Sequence, residues 1–217
     1  MDVKLISVTK PYIESFRDDA TAEELIAYCA RVSNPENQHN TNTAPRLLSY
    51  LIKHKHWSPF EMVDMCLQIK TSRAIAAQIL RHRSFSFQEF SQRYSNVTNL
   101  EDVLWRLQGK TNRQVGDEEY TLDSPEQQAI DKHLQESTTL YNELLEKGVA
   151  KECARMILPL CTETTMYMKG SIRSWVHYID LRSKEDTQKE HRDIALKCKD
   201  IFVNNFPNTS KALSWIQ

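Results

Sequence analysis

Glycine is scarce in this 217-residue chain, which has four: Gly109, Gly116, Gly148 and Gly170. They form neither a G-x-G-x-x-G run nor a Walker loop, so no glycine cradle holds phosphates. A bound nucleotide must be held by side chains and helix ends. C-x-x-C spacing is missing too: the five cysteines, Cys29, Cys66, Cys153, Cys161 and Cys198, are scattered. Scattered thiols of odd number argue for buried, inert sulfur in a reducing, cytoplasmic setting rather than a disulfide framework. No apolar run reaches the eighteen or so residues of a membrane span. The opening MDVKLISVTK is expected to be too brief and too charged for a signal peptide. Excess charge of either sign is also lacking, with Lys+Arg 28, Asp+Glu 29 and a formal net charge of -1. General nucleic-acid and anionic-membrane binders carry a cationic surplus, so any anion here is met locally.

Patterning predicts one α+β or α/β domain over residues 1–217. Residues 3–8 read as a strand. Thr21, with Glu24 three positions on, is a capping box that opens a helix running to about Val32. SNPENQHNTNT is a loop, residues 44–54 are a second helix, and HWSPFE is a turn. Val63, Met65, Leu67 and Ile69 alternate with Asp64, Cys66, Gln68 and Lys70, the period of a strand with two unlike faces. Ser72 caps the next helix, whose apolar face is Ile75, Ala76, Ile79 and Leu80, with Gln78, Arg81 and His82 turned elsewhere. Residues 97–123 are polar and irregular, the expected mobile segment. Ser124 opens a long helix ending at Gly148, a short helical piece carries Arg155, and TTMYMKG suits a strand. Residues 171–182 read as a helix that buries Ile172, Trp175, Val176 and Ile179. A capping box from Thr187 opens the last long helix, which halts near Pro207.

One stretch departs from the even charge balance: RHRSFSFQEFSQRYS, residues 81–95. It sets Arg81, His82, Arg83 and Arg93 among Phe85, Phe87, Phe90 and Tyr94, with Glu89 as its one carboxylate. Guanidinium offers planar, bidentate bonding to phosphate, and aromatic faces stack on ring systems, so the set points to a phosphorylated, ring-bearing ligand. Any one of these arginines alone would read as an ordinary surface ion pair. Ser91 lacks a G-x-S-x-G elbow and reads as a ligand contact rather than a nucleophile. The His54-Lys55-His56 run has no further pair to complete a metal site, and none is expected. Two other readings stay open at this level: a single-strand nucleic-acid module using loop 81–94, and a metal-dependent phosphohydrolase using H-x-H.

Arg81-His82-Arg83, followed after seven residues by Ser91, resembles the signature of the flavin-dependent thymidylate synthases. The likeness extends to ARVS at 30–33, HKHWSPFE at 54–61, SQRYS at 91–95, ARMILPL at 154–160 and SIRSWVHYIDLR at 171–182. The resemblance implies reductive methylation of dUMP to dTMP, with 5,10-methylenetetrahydrofolate as carbon donor, FAD as hydride carrier and NADPH as reductant. It implies an α/β (α+β) fold with a central mixed sheet flanked by long helices, and a cytoplasmic homotetramer with sites shared between subunits. Neither nucleic acid nor membrane is an expected partner. Carried onto this sequence, Ser58, Arg81, His82, Arg83, Glu89, Ser171, Arg173 and His177 match FAD contacts, and His56 matches a histidine near flavin and folate. Gln78, Arg81, Glu89, Ser91, Gln92, Arg93, Arg155 and Arg182 match dUMP contacts. Arg182 also matches the catalytic arginine that favours ionisation of the uracil N3, as a fixed cation facing a developing anion would. Relatives often carry asparagine where this chain has Ser171 and His177, a departure that touches single FAD contacts.

Overall fold

The structure, a computed structural model, describes residues 1–96 and 99–216. The first half runs β1 (Asp2–Val8), α1 (Ala22–Ala30), α2 (Ala44–Lys53), β2 (Asp64–Ser72), α3 (Arg73–Ile79), β3 (Ser86–Glu89), β4 (Arg106–Gln108) and β5 (Gly116–Glu119). The second runs α4 (Ser124–Glu146), α5 (Lys151–Ala154), β6 (Glu163–Ser171), α6 (Ile172–Arg182), α7 (Lys189–Asn205) and α8 (Pro207–Ala212). Short 3-10 turns lie at Pro35–Asn37, Ser58–Met62 and Arg155–Ile157.

The period-two pattern of β2 sorts its faces as expected: Met65, Leu67 and Ile69 are fully buried, while Cys66 and Gln68 are half-buried. Opposite them Met166 and Met168 of β6 are also fully buried, facing Ile69 and Leu67 in the ladder. Helices cover this face. Trp175 lies against it, fully buried, and its indole N–H donates to the Met65 carbonyl at 2.9 Å. One core cluster joins Ile26 of α1, Leu48 of α2, the central strands, α6 and Phe202 of α7.

The sheet order is β1-β2-β6-β3, and every pairing is antiparallel. The expected mixed sheet is thereby corrected, and the reason is local. Both β2 and β6 pass into a helix without a loop, at Ser72–Arg73 and Ser171–Ile172. Parallel neighbours, about 4.8 Å apart, would launch both helices from one edge, where two cylinders about 10 Å wide would collide. Antiparallel pairing sets Ser72 against Glu163 and Ser171 against Asp64, so the helices start at opposite ends. Seven and eleven residues at about 1.5 Å each nearly fill a nine-residue strand at about 3.3 Å each. The two helices therefore run toward each other across one face, and their C-terminal ends meet.

Other expectations change in detail. Leu80, placed on the apolar face, is exposed because α3 ends before it. Ser72 holds the N-cap position without a side-chain cap bond. The long helix is capped by Asp123 rather than Ser124: Asp123 and Glu126 form the reciprocal box, because proline's missing N–H suits the first turn. The box expected from Thr187 is absent; Gln188 is the N-cap, and Thr187 is buried. The basic segment continues not as a loop but as β3, whose Phe87 pairs with Met168. Within the expected mobile segment, residues 97 and 98 lie outside the described residues, and β4 and β5 form an antiparallel hairpin. At Gly170 a Cβ would fall 2.4 Å from Phe85 Cδ1, so the Phe85 ring needs glycine there.

Candidate active site

The meeting of α3 and α6 places the sequence signature against the catalytic candidate. Arg182, the last residue of α6, donates its Nε–H to His82 Nε2 at 2.9 Å. His82 must then be neutral, with its proton on Nδ1. Burial, and secondarily the Arg182 charge, lower the His82 pKa to about 4, which keeps the acceptor lone pair available at neutral pH. Tyr178 stands edge-on to the His82 ring with centroids 4.9 Å apart, and His191 does so at 6.1 Å. With Nε committed, the Nη groups of Arg182 have no partner among the described residues and are left to meet a ligand.

Gln78 belongs to the same cluster. Its Nε2 donates to Gln188 Oε1 at 2.6 Å, and its Oε1 lies 3.4 Å from His191 Nδ1. Arg81 and Arg83 flank His82 and are exposed. Neither enters a salt bridge among the described residues, so both cations remain open to an anion.

A second group gathers where β3 ends. Glu89 Oε1 accepts from Arg73 Nη1 at 2.8 Å and from Thr164 Oγ1 at 2.9 Å. Burial, and after it the Arg155 charge, push the Arg73 guanidinium below its ordinary range, while Glu89 opposes them. Arg93 pairs loosely with Glu152 at 3.5 Å, and Arg155 Nε reaches the Glu152 carbonyl at 3.4 Å. Ser91 is exposed and shares a cavity of about 370 Å³ with Glu89, Tyr94 and Tyr167. Gln92 is buried, yet its amide nitrogen has no partner among the described residues. A buried donor left open is costly unless a ligand or water satisfies it.

The third group lies at the start of α6. Arg173 Nη1 donates to Glu61 at 2.8 Å, and the exposed His177 ring rests 5.2 Å from Trp57. Ser58 is exposed on the 3-10 turn beside them, and His56 is exposed next to His54, with ring centroids 6.0 Å apart. Ser171 differs from its neighbours in this set. It is buried, and its hydroxyl accepts from the Ser174 N–H at 3.3 Å as the N-cap of α6.

The chain sets the third group apart from the other two. Arg173 and Arg182 are separated by about 14 Å of helix. Phe90 bonds to Thr165, so the Ser91 group sits about 20 Å of strand away from Ser171. Among the described residues no group of three His, Cys, Asp or Glu could hold a metal ion. Burial raises the thiols of Cys29, Cys66, Cys161 and Cys198, the opposite of what activates a nucleophile. No helix of the described residues is long and apolar enough to cross a membrane.

Sequence reasoning missed His191, Tyr178, Arg73 and Glu190. A signal existed for His191, which opens the buried stripe His191, Ile194, Ala195, Cys198 and Phe202. A histidine in such a stripe has to be hydrogen-bonded inside the protein. It is, with Nε2 3.2 Å from the Tyr178 hydroxyl.

The paired histidines carry a pH prediction. Burial first, and then Arg182, lower the His191 pKa to about 3. Both imidazoles bind protons more weakly folded than unfolded, where the ordinary value is 6.5. Their contribution is complete above about pH 6.5 and is lost as pH falls toward 4 and then 3. Urea unfolding midpoints should therefore drop over that window, and His191→Phe should flatten the slope. An unchanged slope in the variant would contradict the assignment.

The chain is similar to proteins of known family. A family model described as "Thymidylate synthase complementing protein" matches residues 16–208. A "Probable flavin-dependent thymidylate synthase" of Paramecium bursaria Chlorella virus 1 is 56% identical over 222 residues, covering 100% of both chains. A "Flavin-dependent thymidylate synthase" of Synechocystis is 53% identical over 217 residues, covering 99% of this chain and 100% of that one. The solved UMP/dUMP methylase PolB from Streptomyces cacaoi superposes with a TM-score of 0.81 at 24% identity, covering 99% of this chain and 95% of that one; it supports the fold alone. With the Arg81-His82-Arg83 signature seated against Arg182 and full-length identity above one half, the chain belongs to the flavin-dependent thymidylate synthase family.

Proposed function

We propose that this chain methylates dUMP to dTMP, with 5,10-methylenetetrahydrofolate as one-carbon donor, FAD as the flavin and NADPH as reductant. The observation that carries the reading is the 2.9 Å bond between His82 and Arg182, which joins the signature to the catalytic candidate. The donor set suits the ligands. Arg81, Arg83 and Arg93 are exposed cations, and the buried Gln92 amide is an open donor. Such groups match the phosphates of a dinucleotide and of a nucleoside monophosphate.

Within this reading, Arg81, His82, Arg83, Ser58, Glu89, Arg173, His177 and Ser171 hold FAD, and His56 lies near flavin and folate. Gln78, Arg81, Glu89, Ser91, Gln92, Arg93 and Arg155 hold dUMP. Arg182 directs its Nη groups at the uracil and stabilises negative charge developing there, in an orientation set by neutral His82. Bound flavin supplies the hydride that completes the methyl group.

The separated groups are reconciled if the active unit is a homotetramer with sites shared between chains. The chain exposes 13552 Å², whereas a compact monomer of 25.4 kDa exposes about 10,300 Å². Met156 and Leu160 are 78% and 72% exposed, and α4 fully buries only Tyr141 among its described residues. Such apolar surface calls for neighbours. A cytoplasmic location goes with this reading.

The test is spectral and chemical. Purified protein should show oxidised-flavin absorbance that NADPH bleaches, and should form dTMP only when dUMP and the folate are both present. A colourless protein that binds no FAD and makes no dTMP would overturn the proposal.

A further inference from the structure

A directed chain of hydrogen bonds runs through Gln78, and one carboxylate determines its direction. Glu190, on α7, pairs with Arg106 of β4 at 2.6 Å through Oε1. Its Oε2 lies 2.9 Å from Gln188 Nε2. A carboxylate only accepts, so Gln188 must present its NH₂ to Glu190 and its carbonyl oxygen to Gln78. Gln78 must then donate its own NH₂ to Gln188 at 2.6 Å and turn its Oε1 toward His191. His191 in turn must carry its proton on Nδ1, which leaves Nε2 to accept from the Tyr178 hydroxyl at 3.2 Å. Each amide flip and the imidazole tautomer follow from the previous partner, starting from the one group that cannot donate.

The consequence appears at Gln78. Its carbonyl faces inward, one N–H is committed to Gln188, and the second N–H has no acceptor among the described residues. Gln78 is half-buried beside the His82–Arg182 pair, so that N–H is a donor left for a ligand. With the amide reversed, the same position would offer a carbonyl oxygen, which repels phosphate and carbonyl oxygens alike.

We propose that Glu190, Gln188 and His191 are positioning residues that hold Gln78 as a hydrogen-bond donor to the nucleotide. The inference rests on the reading that Gln78 contacts dUMP. Its distinctive claim is that polarity is set from Glu190, which reaches Gln78 only through Gln188. Glu190→Gln is nearly isosteric, yet it removes the one acceptor-only group: Arg106 only donates and so takes the new amide's carbonyl, which turns its NH₂ toward Gln188 and reverses the chain. His191→Phe removes the inner partner of the Gln78 carbonyl. His191→Asn restores a donor close to where Nδ1 stood.

Calorimetric titration of the flavin-loaded protein with dUMP decides the matter, with steady-state kinetics beside it. Glu190→Gln and His191→Phe should each weaken dUMP about tenfold, with the loss larger in KM than in kcat, and His191→Asn should recover to within about threefold. A merely structural role would not give rescue by asparagine or a KM-weighted loss in the isosteric variant. If both variants bind dUMP within about twofold of the parent, the positioning role is overturned while the nucleotide reading stands. If the parent itself fails to bind dUMP, the nucleotide reading fails and takes this inference with it. Should His191→Phe fold poorly by circular dichroism, Glu190→Gln still decides between these outcomes.

Discussion

Arg182→Ala is expected to lower the rate of dTMP formation by about 10²- to 10³-fold, while dUMP binding weakens much less. The size follows from what the residue does. Removing one preorganised donor aimed at developing charge costs about 2.7–4 kcal/mol of barrier. Arg182 is preorganised in a specific sense: its Nε is held by His82, so its guanidinium plane is set before any ligand arrives. Lysine in its place should recover little, because an ammonium on a flexible stem cannot both bond to His82 and present a planar fork. Single-turnover formation of dTMP, with dUMP affinity measured separately, tests the assignment. Turnover near the parent rate in Arg182→Ala would remove Arg182 from the chemistry.

The same pair shows how far the sequence could be read. Both its members lay in quoted motifs, RHR and SIRSWVHYIDLR, yet nothing in their spacing said that residues 82 and 182 touch. That contact follows from two loopless strand-to-helix junctions in antiparallel neighbours, which is tertiary information. Strands and helices were legible where periodicity was strong, as in β2 and in the Trp175 stripe of α6. Caps were less legible, since the boxes at Thr21 and Thr187 look alike in sequence and only the first forms. Tertiary contacts decide between them: Glu190, which would close the second box, is taken by Arg106 and Gln188, and the N-cap falls to Gln188. The antiparallel direction of the sheet was not legible at all, because a helix between strands suggests a parallel crossover by default. Arg73 was passed over because it stands outside the motif, although its guanidinium organises the end of β3 from 16 residues away.

Arg73 is also the reason to expect a large effect at Glu89. Glu89→Ala should destabilise the fold by about 2–4 kcal/mol, a Tm loss on the order of 10 °C for a chain of this size. Glu89 Oε1 is the acceptor for both Arg73 and Thr164, and the two side chains of the ion pair are about four-fifths buried. Without the carboxylate, Arg73 keeps only the Phe90 carbonyl, at 2.9 Å, and faces the Arg155 charge uncompensated. Arg73 Nε already lacks a partner, which leaves little slack in the desolvation balance. Glu89→Gln retains the shape and one acceptor and should lose about 1 kcal/mol. Combining Glu89→Leu with Arg73→Met should restore part of the stability, because the penalty comes from a stranded cation rather than from a missing contact. Strictly additive losses in the double variant would contradict that account. The functional consequence concerns Ser91, Gln92 and Arg93, which follow directly from the end of β3 where Glu89 is anchored. Activity lost in Glu89→Ala should therefore track thermal stability and partly return at low temperature, whereas loss confined to ligand contact would persist there. That comparison separates the two duties assigned to one carboxylate, holding Arg73 and meeting the ligand.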